Sequence, residues 1–257
     1  MRLDAFLAEK GLVKSRTRAA EMIKNGLVTV NGKTAAKPSL EVDEGDEISV
    51  KDEENTFVGR GGLKLEGALK EFSLDVGGKI CADIGASTGG FTDCLLSHGA
   101  KHVYAVDAGH GQLDEKLISD SRVTNLEGIN ARYMTDDTLP EKCTVAVMDL
   151  SFISQTLVLP ALTKIITPDA DVVTLIKPQF ECGRAALSKN GIVKDKKQHI
   201  MAIRSVTSAA VSCGLMPQKI ALSPIKGGDG NREFLLYAKY GGHSLVTEDD
   251  IRRVTDE

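Results

Sequence analysis

The sequence predicts an α/β protein in two parts: a mostly parallel, doubly wound sheet with an antiparallel edge hairpin, and a small α+β module before it. Between Lys79 and residue 213, short apolar runs alternate with helical patterns, as expected for parallel strands joined by crossover helices. Two late strand-like runs, at 219–222 and 234–240, have no helix between them, which indicates a hairpin. Residues 1–55 carry a separate pattern with its own helices and tight turn.

Composition narrows the class of protein. A chain of 257 residues with 42% hydrophobic content is ordinary for a globular protein of one or two domains. No run approaches the roughly 18–20 apolar residues of a membrane helix, and charges interrupt the apolar N-terminus, so we expect a cytoplasmic protein without a membrane partner. The five cysteines are scattered without a C-x-x-C pair, which argues against disulfides and a bound metal.

The first module, residues 1–55, begins with two predicted helices, the second over 17–25. Strands are predicted at 27–30 and 46–50, and Asn31-Gly32 is typical of a tight hairpin turn. Basic residues gather in the helices and the hairpin, and acids gather after residue 40. A basic face suits contacts with phosphate groups. Because the net charge of the chain is −4, such contacts must come from a local basic patch and not from the charge of the whole molecule. Ordinary solvated lysines would give the same pattern, so charge alone leaves both interpretations open.

The order of residues in this module is more specific than its charge. Arg2-Leu-Asp4, followed by Ser15-Arg-Thr-Arg-Ala-Ala-Glu-Met-Ile-Lys-Asn-Gly-Leu-Val-Thr-Val-Asn-Gly-Lys33, closely resembles the S-four RNA-binding domain, named after a small-subunit ribosomal protein. The resemblance implies that the second helix and the hairpin bind structured RNA. The residues expected to contact RNA are Arg2, Arg16, Arg18, Lys24, Lys33 and, just before the next helix, Arg60.

The remaining chain is predicted as a linker at 56–62, a large domain at 63–245 and a frayed polar tail at 246–257. The predicted strands of the large domain are 80–84, 102–106, 123–126, 145–149, 171–177, 219–222 and 234–240. The predicted helices are 63–72, 92–98, 114–120, 154–166 and 198–213.

A glycine-rich turn follows the first of these strands. A strand, a glycine turn and a helix in that order form a cofactor cradle in an α/β sheet. After Gly85 the glycines come four and five residues later, which differs from the dinucleotide fingerprint. A carboxylate at Asp83 would repel a pyrophosphate, whereas it suits the ammonium and sulfonium of S-adenosylmethionine. The expected contacts with this cofactor are Asp83, Gly85, Ala86, Ser87, Thr88, Gly89, Gly90, Phe91 and Thr92.

Polar residues also follow the next strands, at the edge where ligands of open α/β sheets bind. Asp107 follows the second strand, where an acid accepts hydrogen bonds from ribose hydroxyls. Asn130 and Ala131 follow the third strand, near the expected adenine, and Asp149 and Lys177 follow the fourth and fifth. Each alone could be a helix cap or a solvated side chain, but the set in register predicts a site.

The segment after the fourth strand indicates the methyl acceptor. Enzymes that methylate an exocyclic amine commonly place two prolines there, whereas this chain has Asp149-Leu-Ser-Phe152. A ribose hydroxyl is a poor nucleophile and needs a base. Lys177 leaves an apolar strand, where desolvation would favour the neutral amine; a lysine reaching solvent is the alternative. Lys64 is either solvated or directed into a cleft.

Five motifs together resemble the TlyA, or hemolysin-A-like, ribosomal RNA methyltransferases. They are Arg60-Gly-Gly-Leu-Lys-Leu65, Asp83-Ile-Gly-Ala-Ser-Thr-Gly-Gly-Phe91, Asp149-Leu-Ser-Phe-Ile-Ser154, Ile176-Lys-Pro-Gln-Phe-Glu181 and Asn231-Arg-Glu233. The large domain is similar to FtsJ-type ribose 2'-O-methyltransferases, whose Lys-Asp-Lys-Glu tetrad falls on Lys64, Asp149, Lys177 and Glu233. The resemblance implies a Rossmann-like, S-adenosylmethionine-dependent domain that methylates cytidine 2'-hydroxyls in small- or large-subunit rRNA, with ribosomal subunits as partners.

Roles for the tetrad follow from the same resemblance as a hypothesis. Lys177 is the base, Asp149 orients it, Lys64 positions the hydroxyl, and Glu233 organises the lysines. Phe180 or Phe152 is expected to stack on a flipped base. Core packing is the alternative for either ring, and it is the favoured one for Phe152.

Three other functions are weaker on the sequence. A pore-forming toxin would need membrane segments that the sequence does not offer. A catalytically silent assembly factor would not need the tetrad. A pseudouridine synthase would need an Arg-Leu-Asp segment deep in the chain, and the one such segment is Arg2-Leu-Asp4.

Overall fold

The computed structural model describes residues 1–13, 15–24, 26–50, 57–228 and 230–256, without the side chains of Arg18 and Glu21. The chain divides into two compact units, residues 1–56 and 57–257. Residues 57–62, predicted as linker, belong to the second unit. The Phe57 ring is buried in the core of that unit, and helix α3 already begins at Gly61.

The first unit packs two helices on a three-stranded antiparallel sheet. Its elements are α1 (Leu3–Glu9), α2 (Arg16–Lys24), β1 (Val28–Val30), β2 (Lys33–Thr34) and β3 (Ile48–Val50), with strand order β2-β1-β3. Asn31 and Gly32 have φ values of 51° and 75°, the left-handed conformation that a two-residue hairpin turn requires. The Asn31 side chain also donates to Asp46 at 2.7 Å and accepts from the Glu47 N–H at 2.9 Å. The turn is therefore tied to the segment that leads into β3.

The second unit is built on a seven-stranded sheet of order β6-β5-β4-β7-β8-β10-β9. The strands β4 to β8 run parallel, and β10 is antiparallel to both β8 and β9. This arrangement confirms the predicted parallel sheet and its edge hairpin. The strand bounds are β4 Ile80–Ile84, β5 His102–Asp107, β6 Val123–Glu127, β7 Cys143–Met148, β8 Ile166–Ile176, β9 Leu215–Leu222 and β10 Phe234–Tyr240.

Helices cover both faces of this sheet. Alternate residues of β4 show the two layers, because Cys81 lies in one apolar core while Ala82 and Ile84 lie in the other. The helices are α3 Gly61–Phe72, α4 Gly90–Ser97, α5 Glu115–Ile118, α6 Leu159–Leu162, α7 Pro178–Glu181, α8 Lys196–Ser212 and α9 Glu248–Asp256. Within the described ranges, no helix has the length and apolar content of a membrane span.

The prediction of one continuous helix over 154–166 is wrong. The chain forms a 3-10 turn at Gln155–Leu157, the short helix α6, and then β8 from Ile166. Pro160 lies near the start of α6. A proline lacks the amide proton and clashes with the carbonyl four residues earlier, so within a helix it causes a kink or a break; here the helical segment is divided.

The C-terminal segment 246–257 is not a frayed tail over the residues described. It forms α9, whose Ile251 and Val254 side chains are buried against residues of α8 such as Ile203. A reciprocal N-terminal cap begins the helix, because the Thr247 N–H donates to the Asp250 carboxylate at 2.9 Å and the Asp250 N–H donates to Thr247 Oγ1 at 3.2 Å.

The packing of α9 gives a stability prediction. Ile251→Ala should lower the free energy of unfolding by about 2–4 kcal/mol, because it leaves a cavity in a core where Ile251 is only 4% exposed. Leu245→Ala is the matched control at a 65% exposed site and should change it by less than about 0.5 kcal/mol. Urea denaturation measures both. Equal effects of the two substitutions would show that α9 is not packed as described.

Candidate active site

The turn after β4 can be made only with glycine at two of its positions. Gly85 and Gly89 have φ values of 86° and 95°, which other L-residues rarely adopt. A methyl group at Gly85 would lie 2.6 Å from the Asp149 carbonyl oxygen, and one at Gly89 would lie 2.2 Å from Leu117 Cδ1. The turn is therefore packed directly against the end of β7 before α4 begins at Gly90.

Asp83 lies beneath this turn and is fully buried. Its Oδ2 accepts a hydrogen bond from Thr92 Oγ1 at 2.7 Å, while Oδ1 has no partner among the described residues. Burial is the main cause that raises the pKa of Asp83 to about 7, and the nearby carboxylates of Asp149 and Asp107 contribute. A buried acceptor without a partner at this place fits a cationic ligand group.

Asp107, at the end of β5, connects two loops. Its Oδ2 accepts the Ser87 N–H at 2.8 Å, and its Oδ1 accepts the Gly109 N–H at 2.7 Å. Three residues after the end of β6, Asn130 Oδ1 accepts the Arg132 N–H at 3.1 Å and caps a 3-10 turn. Both polar side chains thus fix the backbone around the strand ends.

These strand ends enclose a cavity of about 410 Å³. The predicted cofactor residues that line it are Gly85, Ser87, Asp107, Asn130, Ala131 and Asp149. Asp83, Ala86, Gly89, Gly90, Phe91 and Thr92 are buried in the turn and the first turn of α4, while Thr88 is exposed. Phe152, expected from the sequence to stack on a base or to pack in the core, also lines the cavity. The lining residues that the sequence did not identify are Val106, Ala108, Gln112, Ile129, Leu150, Ser151, Ile153 and Val158. Most of these residues lie within a few positions of the end of a strand. That position was the signal in the sequence that could have identified them.

The predicted tetrad forms two lysine–carboxylate pairs. Lys64 Nζ donates to Glu233 Oε2 at 2.6 Å, and both side chains are buried. Lys177 Nζ lies 2.6 Å from Asp149 Oδ1, an ion pair whose angles fall outside hydrogen-bond geometry. Lys177 Nζ also donates to Ser151 Oγ at 3.0 Å. Each lysine is therefore held by its own carboxylate.

Sheet register brings the two pairs to one edge. Phe234 of β10 pairs with Ile176 of β8, so that Glu233 and Lys177 leave the sheet side by side. Asp149 follows β7, the neighbour of β8. A methyl group at Gly61 would lie 3.9 Å from Asp149 Oδ2, which places the start of α3, one turn before Lys64, at the same edge.

Phe152 is exposed, so the favoured expectation that it packs in the core is wrong. The side chain is 92% exposed, and its φ of 65° is left-handed, a conformation that is uncommon for a bulky residue. Its ring centroid lies 5.3 Å from that of Phe180 at 53°. Lys177 Nζ lies 6.0 Å from the Phe180 centroid. Two aromatic rings therefore adjoin the Lys177 pair.

In the first unit, two of the predicted RNA contacts bind a neighbouring acid. Arg2 forms a two-pronged pair with Asp4 at 3.0 Å, and Arg16 reaches the same carboxylate at 3.5 Å. The Arg2 hydrogen bonds are the main cause that lowers the pKa of Asp4 to about 2. Lys24 and Lys33 are exposed. The Arg18 side chain lies outside the description, and Arg60, at the N-cap of α3, is part of the second unit.

The strand order, the antiparallel last strand and the glycine cradle with its buried acid define an S-adenosylmethionine-dependent methyltransferase. Comparison with known proteins agrees. The FtsJ-like methyltransferase family matches residues 57–240, and the S4 domain matches residues 1–48. The chain belongs to the FtsJ-like methyltransferase family. The match confirms the predicted fold class, enzyme class and cofactor.

Relatives match along the whole chain. YqxC of Bacillus subtilis, named as an rRNA methyltransferase, is 44% identical over 100% of this chain and 93% of its own length. The 16S/23S rRNA (cytidine-2'-O)-methyltransferase TlyA of Mycobacterium tuberculosis is 42% identical over 93% of this chain and 89% of its own. A solved Streptococcus thermophilus structure that carries a hemolysin name has a TM-score of 0.80 at 42% identity, covering 100% of this chain and 94% of that one.

The buried carboxyl of Asp83 predicts a pH effect on the cofactor-free protein. Its folded-state pKa of about 7 exceeds its ordinary value of 3.8, so the folded state binds the proton more tightly. The resulting stability, on the order of a few kcal/mol, is fully present below about pH 4 and is lost as the pH rises through about 7.

Urea denaturation of wild type and Asp83→Asn between pH 4 and 8 measures this effect. The amide keeps an acceptor for the Thr92 hydroxyl but does not titrate. The difference between the two curves isolates Asp83, because other titrating groups act equally in both proteins. Parallel curves would contradict the raised pKa.

Proposed function

We propose that this enzyme transfers a methyl group from S-adenosylmethionine to the 2'-hydroxyl of a cytidine in small- or large-subunit ribosomal RNA. The observation that carries this proposal is the Lys177–Asp149–Ser151 contact beside the cavity that Asp149 and Ser151 line. It offers a fixed amine next to the cofactor cavity. The named rRNA 2'-O-methyltransferases among the relatives support the substrate class.

The cofactor supplies an electrophilic methyl group. Asp83 Oδ1, which has no partner among the described residues, would accept the methionine ammonium. Asp107 would accept the ribose hydroxyls, Asn130 and Ala131 would border the adenine, and Gly85 lets the chain approach the ligand closely. This assignment keeps each of these residues in its expected role.

The two lysines have different proposed roles at the 2'-hydroxyl that accepts the methyl group. Lys177 would act as the neutral amine: once its ammonium has released a proton to solvent, Nζ would take the proton of the 2'-hydroxyl as the nucleophile forms. Asp149 and Ser151 would hold the nitrogen in place. Lys64 would hold the hydroxyl oxygen, with Glu233 as its own anchor. The hypothesis drawn from the resemblance has Glu233 organise both lysines; its ion pair with Lys64, and that of Asp149 with Lys177, support the division of roles proposed here.

The first unit would supply affinity for the RNA. The exposed cations Arg16, Lys24 and Lys33 suit phosphate contacts. Arg2, which is paired with Asp4, would also contact a phosphate. Arg18 and Arg60 complete the proposed set. Phe152 and Phe180 would stack on the flipped cytosine. A ribosomal substrate implies that the enzyme works in the cytoplasm.

The role of Lys177 predicts a near-complete loss of methylation in Lys177→Ala. General-base catalysis contributes about 10²–10⁴-fold, so the rate should fall by at least 100-fold while cofactor binding by calorimetry persists. Lys239→Ala is the matched control, because this lysine pairs at 3.8 Å with Asp171 in the middle of β8, six residues before Lys177. The readout is transfer of labelled methyl to rRNA, followed by mapping of 2'-O-methyl positions. Full activity of Lys177→Ala would refute the proposed base.

The exposed aromatic pair predicts a stacking contact. Phe152→Ala should lower kcat/KM for RNA by about 10- to 100-fold, since stacking contributes about 1–3 kcal/mol per base. Its melting temperature should not fall, because the ring is already in solvent. Phe152→Tyr should keep most of the activity. An inactive Phe152→Tyr, or a fully active Phe152→Ala, would argue against stacking.

A further inference from the structure

The loop of residues 150–154, between the end of β7 and the following 3-10 turn, carries several residues of the active site. Ser151 contacts Lys177, Phe152 contacts Phe180, and residues 150–153 line the cavity. Phe152 has a left-handed backbone and a solvent-exposed ring. Packing of its own side chain therefore does little to stabilise this backbone conformation. The conformation must be fixed by residues on either side.

Two sets of contacts fix the ends of this loop. Before it, the Asp149 N–H donates to the Ile84 carbonyl at 3.0 Å. After it, the buried Gln155 side chain bonds β8: its Oε1 accepts from Thr174 Oγ1 at 2.5 Å, and its Nε2 donates to the Leu175 carbonyl. These contacts attach the loop to the sheet, but none of them reaches the segment that carries Lys177 and Phe180.

Glu181 makes that second connection. It is the last residue of α7 and follows Phe180 directly. Its Oε2 accepts from Ser154 Oγ at 2.5 Å, and its Oε1 accepts from the Gln155 N–H at 2.9 Å. One carboxylate therefore joins the loop with Ser151 and Phe152 to the turn with Lys177 and Phe180.

The carboxylate is not explained by ion pairing. In the described part of the chain, Glu181 has no lysine or arginine within ion-pair distance, and burial raises its pKa. Keeping a partly buried carboxyl group that has only hydrogen bonds is costly. The described contacts of the carboxylate are its two hydrogen bonds to Ser154 and Gln155, so its contribution is to hold these two residues in place.

We propose that Glu181 is a positioning residue for methyl transfer. By holding Ser154 and Gln155, it sets the position of the 150–154 loop relative to Lys177 and Phe180. This inference rests on the proposed 2'-O-methyltransferase function. The described hydrogen bonds of Glu181 are to Ser154 and Gln155, not to the glycine turn or Asp83, and under the proposed function the first unit would supply affinity for the RNA. Loss of Glu181 should therefore act on kcat more than on substrate binding.

Three variants test the proposal, with kcat and KM for rRNA measured at saturating cofactor. Glu181→Ala removes both contacts and should lower kcat by about 10- to 100-fold, with KM for RNA and cofactor affinity within about threefold. Glu181→Gln keeps an acceptor for Gln155 and a donor for Ser154, so kcat should stay within about threefold of wild type. Tyr237→Phe is the control; it removes a hydroxyl that donates to the Asp171 carboxylate at 2.8 Å, away from the site, and should leave kcat unchanged.

Each outcome bears on the inference. Wild-type kcat in Glu181→Ala overturns it, and so do equal losses in the Ala and Gln variants. If Glu181→Ala does not fold, Ser154→Ala removes the Oε2 contact together with the hydrogen bonds of Ser154 Oγ to Thr156. A lower kcat in a variant that stays folded at the assay temperature supports the inference, and an unchanged kcat overturns it. A wild-type protein that does not methylate rRNA refutes the proposed function instead, so the two failures are distinguishable.

Discussion

The antiparallel pairing of β10 with β8 is the constraint on which the catalytic arrangement depends. Register places Phe234 opposite Ile176, so the residues just outside that pair, Glu233 and Lys177, leave the sheet at one edge. In a wholly parallel sheet the beginning of a strand would lie at the opposite edge, and no acid preceding a strand could reach this site. The reversed strand thus allows a residue 169 positions away from Lys64 to bind it.

The two lysine–carboxylate pairs explain how several charged groups share a small, partly dry region. Removing water from a charge is costly unless a partner and further hydrogen bonds compensate. Lys64 and Glu233 compensate one another, and Lys177 has both Asp149 and Ser151. Such pairs contribute little to stability in general. In the proposed mechanism their value lies in fixing two nitrogen atoms, since a flexible lysine in solvent would seldom adopt a geometry suitable for proton transfer.

Much of the fold was predictable because it depends on local patterns. Alternating apolar runs located the sheet, and polar residues after the strands located its functional edge. The errors have identifiable physical causes. Pro160 interrupts a helix whose apolar periodicity continues through it, and α9 is short and polar except for one narrow face. The left-handed backbone of Phe152 is imposed by contacts of the neighbouring residues, not by its own preference. The contact of Asp149 with Lys177 agrees with the hypothesis taken from the resemblance, whereas nothing local indicated that Glu233, expected to organise both lysines, would pair with Lys64.

The last helix connects the end of the chain to the active site. Arg232, next to Glu233, donates to the Thr255 carbonyl at 3.2 Å and lies 5.8 Å from the Phe234 ring. The carboxyl-terminal turn of α9 is therefore part of the support for the residue that anchors Lys64. In genetic terms, a nonsense or frameshift mutation ahead of the α9 codons would remove this support together with the packing of Ile251 and Val254.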